Sequence, residues 1–283
     1  MHKRRRVVTM KVGIIGTGNM GRILVEALLD GKAVSPSSMF ITNRTIAKAE
    51  KLRQSYPGIT VENTPMEIAK KAKLLFICVK PHDMFSCIQN IIPFLTKEHC
   101  VVSITSPISV EQLESKLSCS TARAIPSITN RALAGVSLLT FGEKCEPYWK
   151  DRLIEMLECI STPMQIEEEI TRVASDIVSC GPAFFSYLTR KFIDAAVSET
   201  NIDEDTATKL ASEMLIGLGE LLRKNFYTLP TLQEKVCVKG GITGEGIKVL
   251  ESELGDVFEH LFQATHSKFN EDIEETKKQF TLQ

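Results

Sequence analysis

The chain has 283 residues, of which 43% are hydrophobic and 24% charged, and its formal net charge is −1. That length supports one or two domains with a sizeable core, and the near-neutral balance excludes an overall field that would draw nucleic acid or an anionic membrane surface. No apolar run approaches the 18 or more residues of a membrane span, and no charged-then-apolar secretion signal is present.

The basic run His-Lys-Arg-Arg-Arg at residues 2–6 reads as part of a disordered leader over residues 1–9, and Met10 directly precedes the first strand. The eight cysteines are scattered without a C-x-x-C pair, and the five histidines form no H-E-x-x-H. No metal site is therefore expected, and free thiols without an export signal predict a reducing, cytoplasmic setting.

The first strand, Lys-Val-Gly-Ile-Ile at 11–15, runs into a glycine-rich turn with Gly16, Gly18 and Gly21 in G-x-G-x-x-G order, Asn19 and Met20 between them. Strand before and helix after give that string its mechanism. Gly16 permits the tight turn, Gly18 lets a pyrophosphate approach the backbone, and Gly21 lets helix pack on strand. The helix N-terminus adds free N–H groups for phosphate. The helix stops at Gly31.

A second strand at 39–43 ends in Asn43, Arg44 and Thr45. A site for NAD normally places a carboxylate here for the ribose 2′-hydroxyl. Arg44 instead suits a 2′-phosphate, with Asn43 and Thr45 as donors, so NADP is the expected cofactor. Strands follow at 59–63, 74–79 and 100–105. After the fourth, Val79, Lys80 and Pro81 fall at a strand's carboxyl end, where such sheets bind ligands. Segments 121–125 and 135–141 extend the sheet. Alternation of apolar strands with helices predicts an α/β fold, a Rossmann-type doubly wound sheet over residues 10–165.

From residue 166 to 283 the periodicity becomes helical, interrupted at Gly181-Pro182. Residues 203–225 open with acids and close with Arg223 and Lys224, as the helix dipole favours. Residues 246–283 read as helix, with Ile247, Leu250, Leu254, Phe258 and Leu261 on one stripe. So small a helical domain has little core of its own, which predicts burial against a second copy in a homodimer or higher homo-oligomer. Four glycines crowd residues 240–246 within this helical region, each costing roughly 1 kcal/mol in a helix relative to alanine. The residues alone fit either a bare helix–helix turn or a loop whose backbone amides meet an anion.

The glycine turn, Asn43-Arg44-Thr45, Asn63 after the third strand, Val79-Lys80-Pro81, Arg-Ala-Ile-Pro-Ser at 123–127, Gly-Pro-Ala-Phe-Phe at 181–185 and Gly-Gly-Ile-Thr-Gly-Glu-Gly at 240–246 occur in an order and spacing that resemble the pyrroline-5-carboxylate reductase family over nearly the whole chain. Within it, the chain is most similar to a competence-associated, reductase-like branch. The resemblance implies an NADP-binding Rossmann domain, with Asn63 on the cofactor, and an all-helical C-terminal dimerisation domain carrying the substrate site. It further implies hydride transfer to the C=N bond of pyrroline-5-carboxylate or a related cyclic imino acid, giving proline, without a metal or covalent nucleophile. Val238, Lys239, Gly240, Gly241, Ile242 and Thr243 would form the substrate loop, and Thr243 the catalytic contact near the ring nitrogen.

The family pattern Ser-Pro-Gly-Gly-x-Thr is broken here: Val238-Lys239 replaces Ser-Pro, removing a hydroxyl that would touch the substrate carboxylate. Cys180 stands where the family has serine, and Ser127 where it has asparagine. These departures raise an alternative, an NADP-binding regulatory paralogue with little or no reductase activity. A β-hydroxyacid dehydrogenase would share the early glycine turn, but its G-x-x-x-K-x-x-x-N helix pattern is not found in this sequence.

Overall fold

In the computed structural model, residues 10–281 are described; the leader expected over residues 1–9 lies outside them. The apolar tetrapeptides expected as strands form β1 (Val12–Ile15), β2 (Met39–Thr42), β4 (Leu74–Ile77) and β5 (Cys100–Ser103), every residue of them buried. Between them lies β3 (Thr60–Val61), and beyond them β6 (Ser120–Ile125), β7 (Val136–Phe141) and β8 (Thr162–Gln165). All eight join one sheet in the order β3-β2-β1-β4-β5-β6-β7-β8. Strand order reverses at β1, which pairs in parallel with β2 on one side and β4 on the other.

Two-residue periodicity sends alternate side chains to opposite faces. Val12 and Ile14 pack with α1 (Asn19–Asp30), α2 (Ile46–Ser55) and α6 (Pro147–Leu157). Ile15, Leu75 and Ile77 pack with α3 (Pro65–Lys71), α4 (Pro81–Ile91) and α5 (Val110–Glu114). Helices thus cover both faces, which is why the strands carry no polar face.

The sheet departs from an all-parallel reading at its far edge. β6 and β7 pair antiparallel. Only residues 126–135 join them, too short a connection for a parallel crossover. The α6 crossover then returns the chain parallel to β7 as β8. β8 escapes the sequence reading because it is Thr-Pro-Met-Gln, mostly exposed; proline is tolerated there because β8 is the sheet's edge.

The rest of the chain is helical: α7 (Thr171–Ser175), a π-helical turn Asp176–Cys180, α8 (Gly181–Glu199), α9 (Glu204–Arg223), α10 (Leu229–Val236), α11 (Ile242–Glu253) and α12 (Val257–Thr281). α8 continues from the π-helical turn without a break, Gly181 having αR angles; Pro182 has no N–H to donate there, and the Val178 carbonyl four residues before it accepts from the Ser127 hydroxyl. The helix read over 246–283 is two helices: Gly255, at φ +46, separates α11 from α12. Compactness divides the chain into Met1–Pro182 with Ala264–Gln283, and Ala183–Gln263. The second unit has a small core of Ile193, Ala207 and Ala211. Its larger apolar side chains, including Phe192, Leu210, Met214 and Ile216, are exposed in the single chain. No helix among the described residues is long and apolar enough to cross a membrane.

Candidate functional site

The expected cofactor residues come together in the first unit because each follows the carboxyl end of a parallel strand. Gly16 follows β1, Asn43 β2, Asn63 β3 and Val79 β4, and the pairings Ile15 with Thr42 and Ile15 with Ile77 align three of these ends in register. This edge, beside the reversal at β1, is where open α/β sheets place ligands.

The three glycines have separate physical reasons. Gly16 has φ +100, and a Cβ there would meet the Cys78 carbonyl oxygen at 2.6 Å. Its N–H donates to the Thr42 carbonyl at 2.9 Å, so the turn is pressed between β2 and β4. A Cβ on Gly21 would collide with the Gly16 carbonyl and come within 3.0 Å of Cys78. Gly18 differs: a Cβ there meets nothing within 4 Å. Its freedom serves an approach from outside, not packing. Gly18 caps α1 without a side-chain acceptor, and no acid lies in the first turn, leaving N–H groups and the positive end of the dipole for an anion.

Asn43 braces this turn. Its Oδ1 accepts from the Thr17 N–H at 2.9 Å, and its Nδ2 donates to the Thr45 carbonyl at 3.0 Å. Arg44 is 87% exposed, with Nη1 3.8 Å from an Asp83 carboxylate oxygen that also lies 3.5 Å from His82 Nε2. Lys80, exposed, caps α4 by its backbone between half-buried Val79 and Pro81. Asn63 is exposed, its N–H donating to Glu67 Oε2 at 3.0 Å as part of the α3 cap. Asn19 is exposed and Met20 half-buried at the start of α1.

Beside the glycine turn lies a cavity of about 590 Å³ lined by Thr17, Gly18, Asn19, Arg22, Lys48 and Lys51 among others. The sequence reading missed Arg22, Lys48 and Lys51. The available sign was two lysines three apart on a helix directly after Asn43-Arg44-Thr45.

The second glycine-rich stretch belongs to the second unit. Gly240 has φ +72, and Gly241 caps α11 with no side-chain acceptor. The Gly241 N–H donates to the Val238 carbonyl at 2.9 Å, and a Cβ on Gly241 would reach Val238 Cγ2 at 2.7 Å. Gly240 and Gly241 are therefore turn requirements, whereas Gly244 and Gly246 sit in α11 with open space around them. Val238 and Ile242 are 65% and 93% exposed, and Lys239 and Thr243 are exposed with them. The loop offers free amides and one hydroxyl at a helix N-terminus, which suits a small carboxylate.

Two residues substituted in the family pattern have structural partners. Ser127 is buried and its hydroxyl donates to the Val178 carbonyl at 2.6 Å, joining the end of β6 to the π-helical turn. Cys180, in that turn, lies 3.5 Å from Arg172 Nη2, and burial pushes its thiol pKa up.

Comparison with known proteins finds relatives over nearly the whole chain. A family model for the pyrroline-5-carboxylate reductase dimerisation domain matches residues 168–272, and one described as NADP oxidoreductase, coenzyme F420-dependent, matches residues 11–107. ComE operon protein 4 of Bacillus subtilis is 55% identical over 271 residues, covering 96% of this chain and 99% of that protein. Pyrroline-5-carboxylate reductase 3 of the same organism is 30% identical over 273 residues, covering 95% and 99%. The NADP-bound structure of Plasmodium falciparum pyrroline carboxylate reductase superposes with a TM-score of 0.79 at 19% identity, over 96% of this chain and 98% of that one.

Proposed function

The chain belongs to the pyrroline-5-carboxylate reductase family, and from that membership we propose that it is an NADP-binding, competence-associated paralogue with little or no reductase activity on pyrroline-5-carboxylate. The contrast between its two loops carries this reading. The nucleotide turn keeps all three glycines, each with a distinct geometric reason, and β2 ends without a carboxylate. The substrate loop instead presents Val238 and Lys239 where the family pattern has Ser-Pro. The 55% identical relative is named for the ComE operon, and the reductase is the more distant of the two.

The residues fit the cofactor. Open space over Gly18, the uncapped start of α1 and the absence of acid in its first turn suit a pyrophosphate. NADPH, when bound, supplies a hydride. The chain's part in an imine reduction would be to hold the substrate carboxylate on the Gly240 amide and the amides that open α11, the Gly241 N–H being engaged by Val238, and the ring nitrogen against the Thr243 hydroxyl. Positioning and hydrogen bonding of that kind lower a barrier by several kcal/mol without a strong base. Val238 supplies no hydroxyl for the carboxylate, so that orientation is weakened.

Retention of Gly240-Gly241-Ile242-Thr243 at the start of α11 favours a second reading, an active reductase of pyrroline-5-carboxylate or a related cyclic imino acid. Pyrroline-5-carboxylate-dependent oxidation of NADPH separates the two. The proposed reading expects wild type to bind NADPH without measurable imine turnover, and Val238→Ser to gain tenfold or more in kcat/KM. One regained hydrogen bond to a charged group contributes about 1.5–3 kcal/mol. Adding Thr243→Val should cancel that gain while leaving NADPH affinity unchanged. Brisk turnover by wild type would refute the proposal in favour of the second reading.

We further propose that the second unit pairs with another copy. Phe192, Leu210, Met214 and Ile216 are more than half exposed in the single chain, large apolar side chains that a second copy would remove from water. Light scattering is expected to give at least twice the chain mass at micromolar concentration; a stable monomer there would end this proposal.

A further inference from the structure

All eight cysteines are free thiols, and two that are distant in sequence meet in space. Cys100 opens β5, and Cys145 lies in the connection from β7 to α6. Both belong to the core beneath α1, α2 and α6, and a hydrogen bond from Cys100 to Cys145 joins their sulfurs. Backbone contacts on either side of Cys145 fix this meeting. The Gly142 N–H donates to the Thr121 carbonyl at 3.0 Å, and the Cys145 N–H to the Gly142 carbonyl at 3.1 Å. The Glu146 N–H donates to the Ser120 hydroxyl at 3.1 Å, and Ser120 is the β6 residue paired with Cys100. Cys119, one residue before Ser120, belongs to the core on the opposite face of the sheet. No three His, Cys, Asp or Glu side chains among the described residues gather as a metal site would need.

The two thiols differ in chemistry. Burial, then the bond to Cys145, pushes Cys100 well above the usual thiol range; burial likewise pushes Cys119 up to about 11 and Cys87 to about 12. Cys145 moves the other way. The hydrogen bond from Cys100 lowers its pKa, helped by Lys150 and Ser120 and opposed by burial. α6 also begins just after it with no side-chain cap and no acid in the first turn, which leaves the positive end of the dipole beside Cys145. Cys145 is the one buried residue in the run 143–148, at the base of a surface loop, whereas Cys100 is wholly enclosed. Oxidation of sulfur proceeds through the thiolate, which makes Cys145 the attacking group and Cys100 the resolving one.

We propose that Cys145 and Cys100 form a reversible disulfide when the protein meets a peroxide. The Cys145 thiolate bonds to one peroxide oxygen, the O–O bond breaks, and the departing hydroxide recovers as water the proton Cys145 had lost. The Cys100 sulfur then attacks the Cys145 sulfenic sulfur, the S–O bond breaks, and hydroxide leaves as water with the Cys100 proton. The thiols lose two electrons and the peroxide gains them. Cys100 stands at the amino end of β5, opposite the strand ends that carry the glycine turn, so the bridge leaves the nucleotide site alone.

The test uses the full-length protein, reduced, exposed to hydrogen peroxide and mapped by mass spectrometry without reductant. Wild type is expected to give a linked peptide pair through Cys100 and Cys145 that dithiothreitol separates, with NADPH affinity within twofold of the reduced protein. In Cys100→Ser, dimedone should trap a sulfenic acid on Cys145, and Cys145→Ser should give neither adduct nor bridge at Cys100. In folded, reduced wild type, iodoacetamide should modify Cys145 at least about tenfold faster than Cys87, Cys100 or Cys119, an ordering that needs no variant. Peroxide that leaves Cys100 and Cys145 free, links either to a different cysteine, or joins them only in denaturant overturns the pairing. Dimedone on Cys100 in Cys145→Ser, with none on Cys145 in Cys100→Ser, overturns the assignment of Cys145 as the attacking sulfur.

Discussion

Gly18→Ala is expected to remove NADPH binding from a protein that stays folded, whereas Gly21→Ala should cost the fold before it costs the ligand. The two glycines are three residues apart in the same motif, yet their surroundings are opposite. At Gly18 a Cβ finds nothing within 4 Å, and φ is −69, a value alanine adopts without strain. Such a substitution stabilises by about 0.4–1 kcal/mol through the unfolded chain. Its methyl group would stand where a pyrophosphate must meet the α1 amides. Losing one hydrogen bond to a charged group, at about 1.5–3 kcal/mol, weakens affinity by roughly ten- to a hundredfold, and losing two by more than a hundredfold. At Gly21 the same methyl meets the Gly16 backbone carbonyl, which cannot yield without moving α1 from β1. Overpacking of this kind costs about 1–3 kcal/mol or more. Thermal unfolding alongside NADPH titration gives both readouts. Normal NADPH affinity in Gly18→Ala would mean that the phosphates do not cross this turn.

The same motif shows why the glycine turn is largely legible in the sequence. Glycine's role at positions 16 and 21 is backbone geometry, and backbone geometry follows from local order: strand, turn, helix. Strands β1, β2, β4 and β5 were equally legible, since burial on both faces leaves only apolar residues. What stayed hidden depends on long-range contacts. Asn43 looks like a phosphate donor by position, yet its side chain reaches back 26 residues to brace Thr17. Lys48 and Lys51 look like ordinary solvated charges until the cavity beside them is seen without a carboxylate. The Leu254–Val257 break was masked because Leu254 and Phe258 keep the four-residue step across Gly255, whose φ of +46 ends the helix. In the second glycine-rich stretch, composition showed the crowding but not that only Gly240 and Gly241 answer to the turn.

A separate prediction concerns the π-helical turn, where Asp176 is fully buried in the first unit. Its carboxylate accepts from Arg172 Nη2 at 2.7 Å and from the Thr265 hydroxyl at 2.8 Å, and His266 Nε2 lies 3.7 Å away. Arg172 also packs its guanidinium over the Phe269 ring at 5.3 Å. The pair therefore fastens the chain just before α8 to the part of α12 that belongs to the same unit. Arg172→Ala would leave a buried carboxylate without its counter-charge, a change that costs about 3–5 kcal/mol. At about 2–4 °C per kcal/mol for a unit of this size, Tm should fall by roughly 10 °C. Adding Asp176→Asn removes the uncompensated charge and keeps an acceptor for Thr265, so the double variant should melt above the single one. That ordering is the informative result, because lost packing on Phe269 would be shared by both variants and cannot produce it. NADPH affinity well below the transition should remain within a few-fold of wild type. The π-helical turn is tied to the end of β6, through Ser127 to Val178 and Ser179 to Pro126, and β4 and β5 separate β6 from β1 and its glycine turn. If Arg172→Ala melts with wild type, the ion pair contributes no net stability, and the turn is held by Thr265 and the β6 contacts alone.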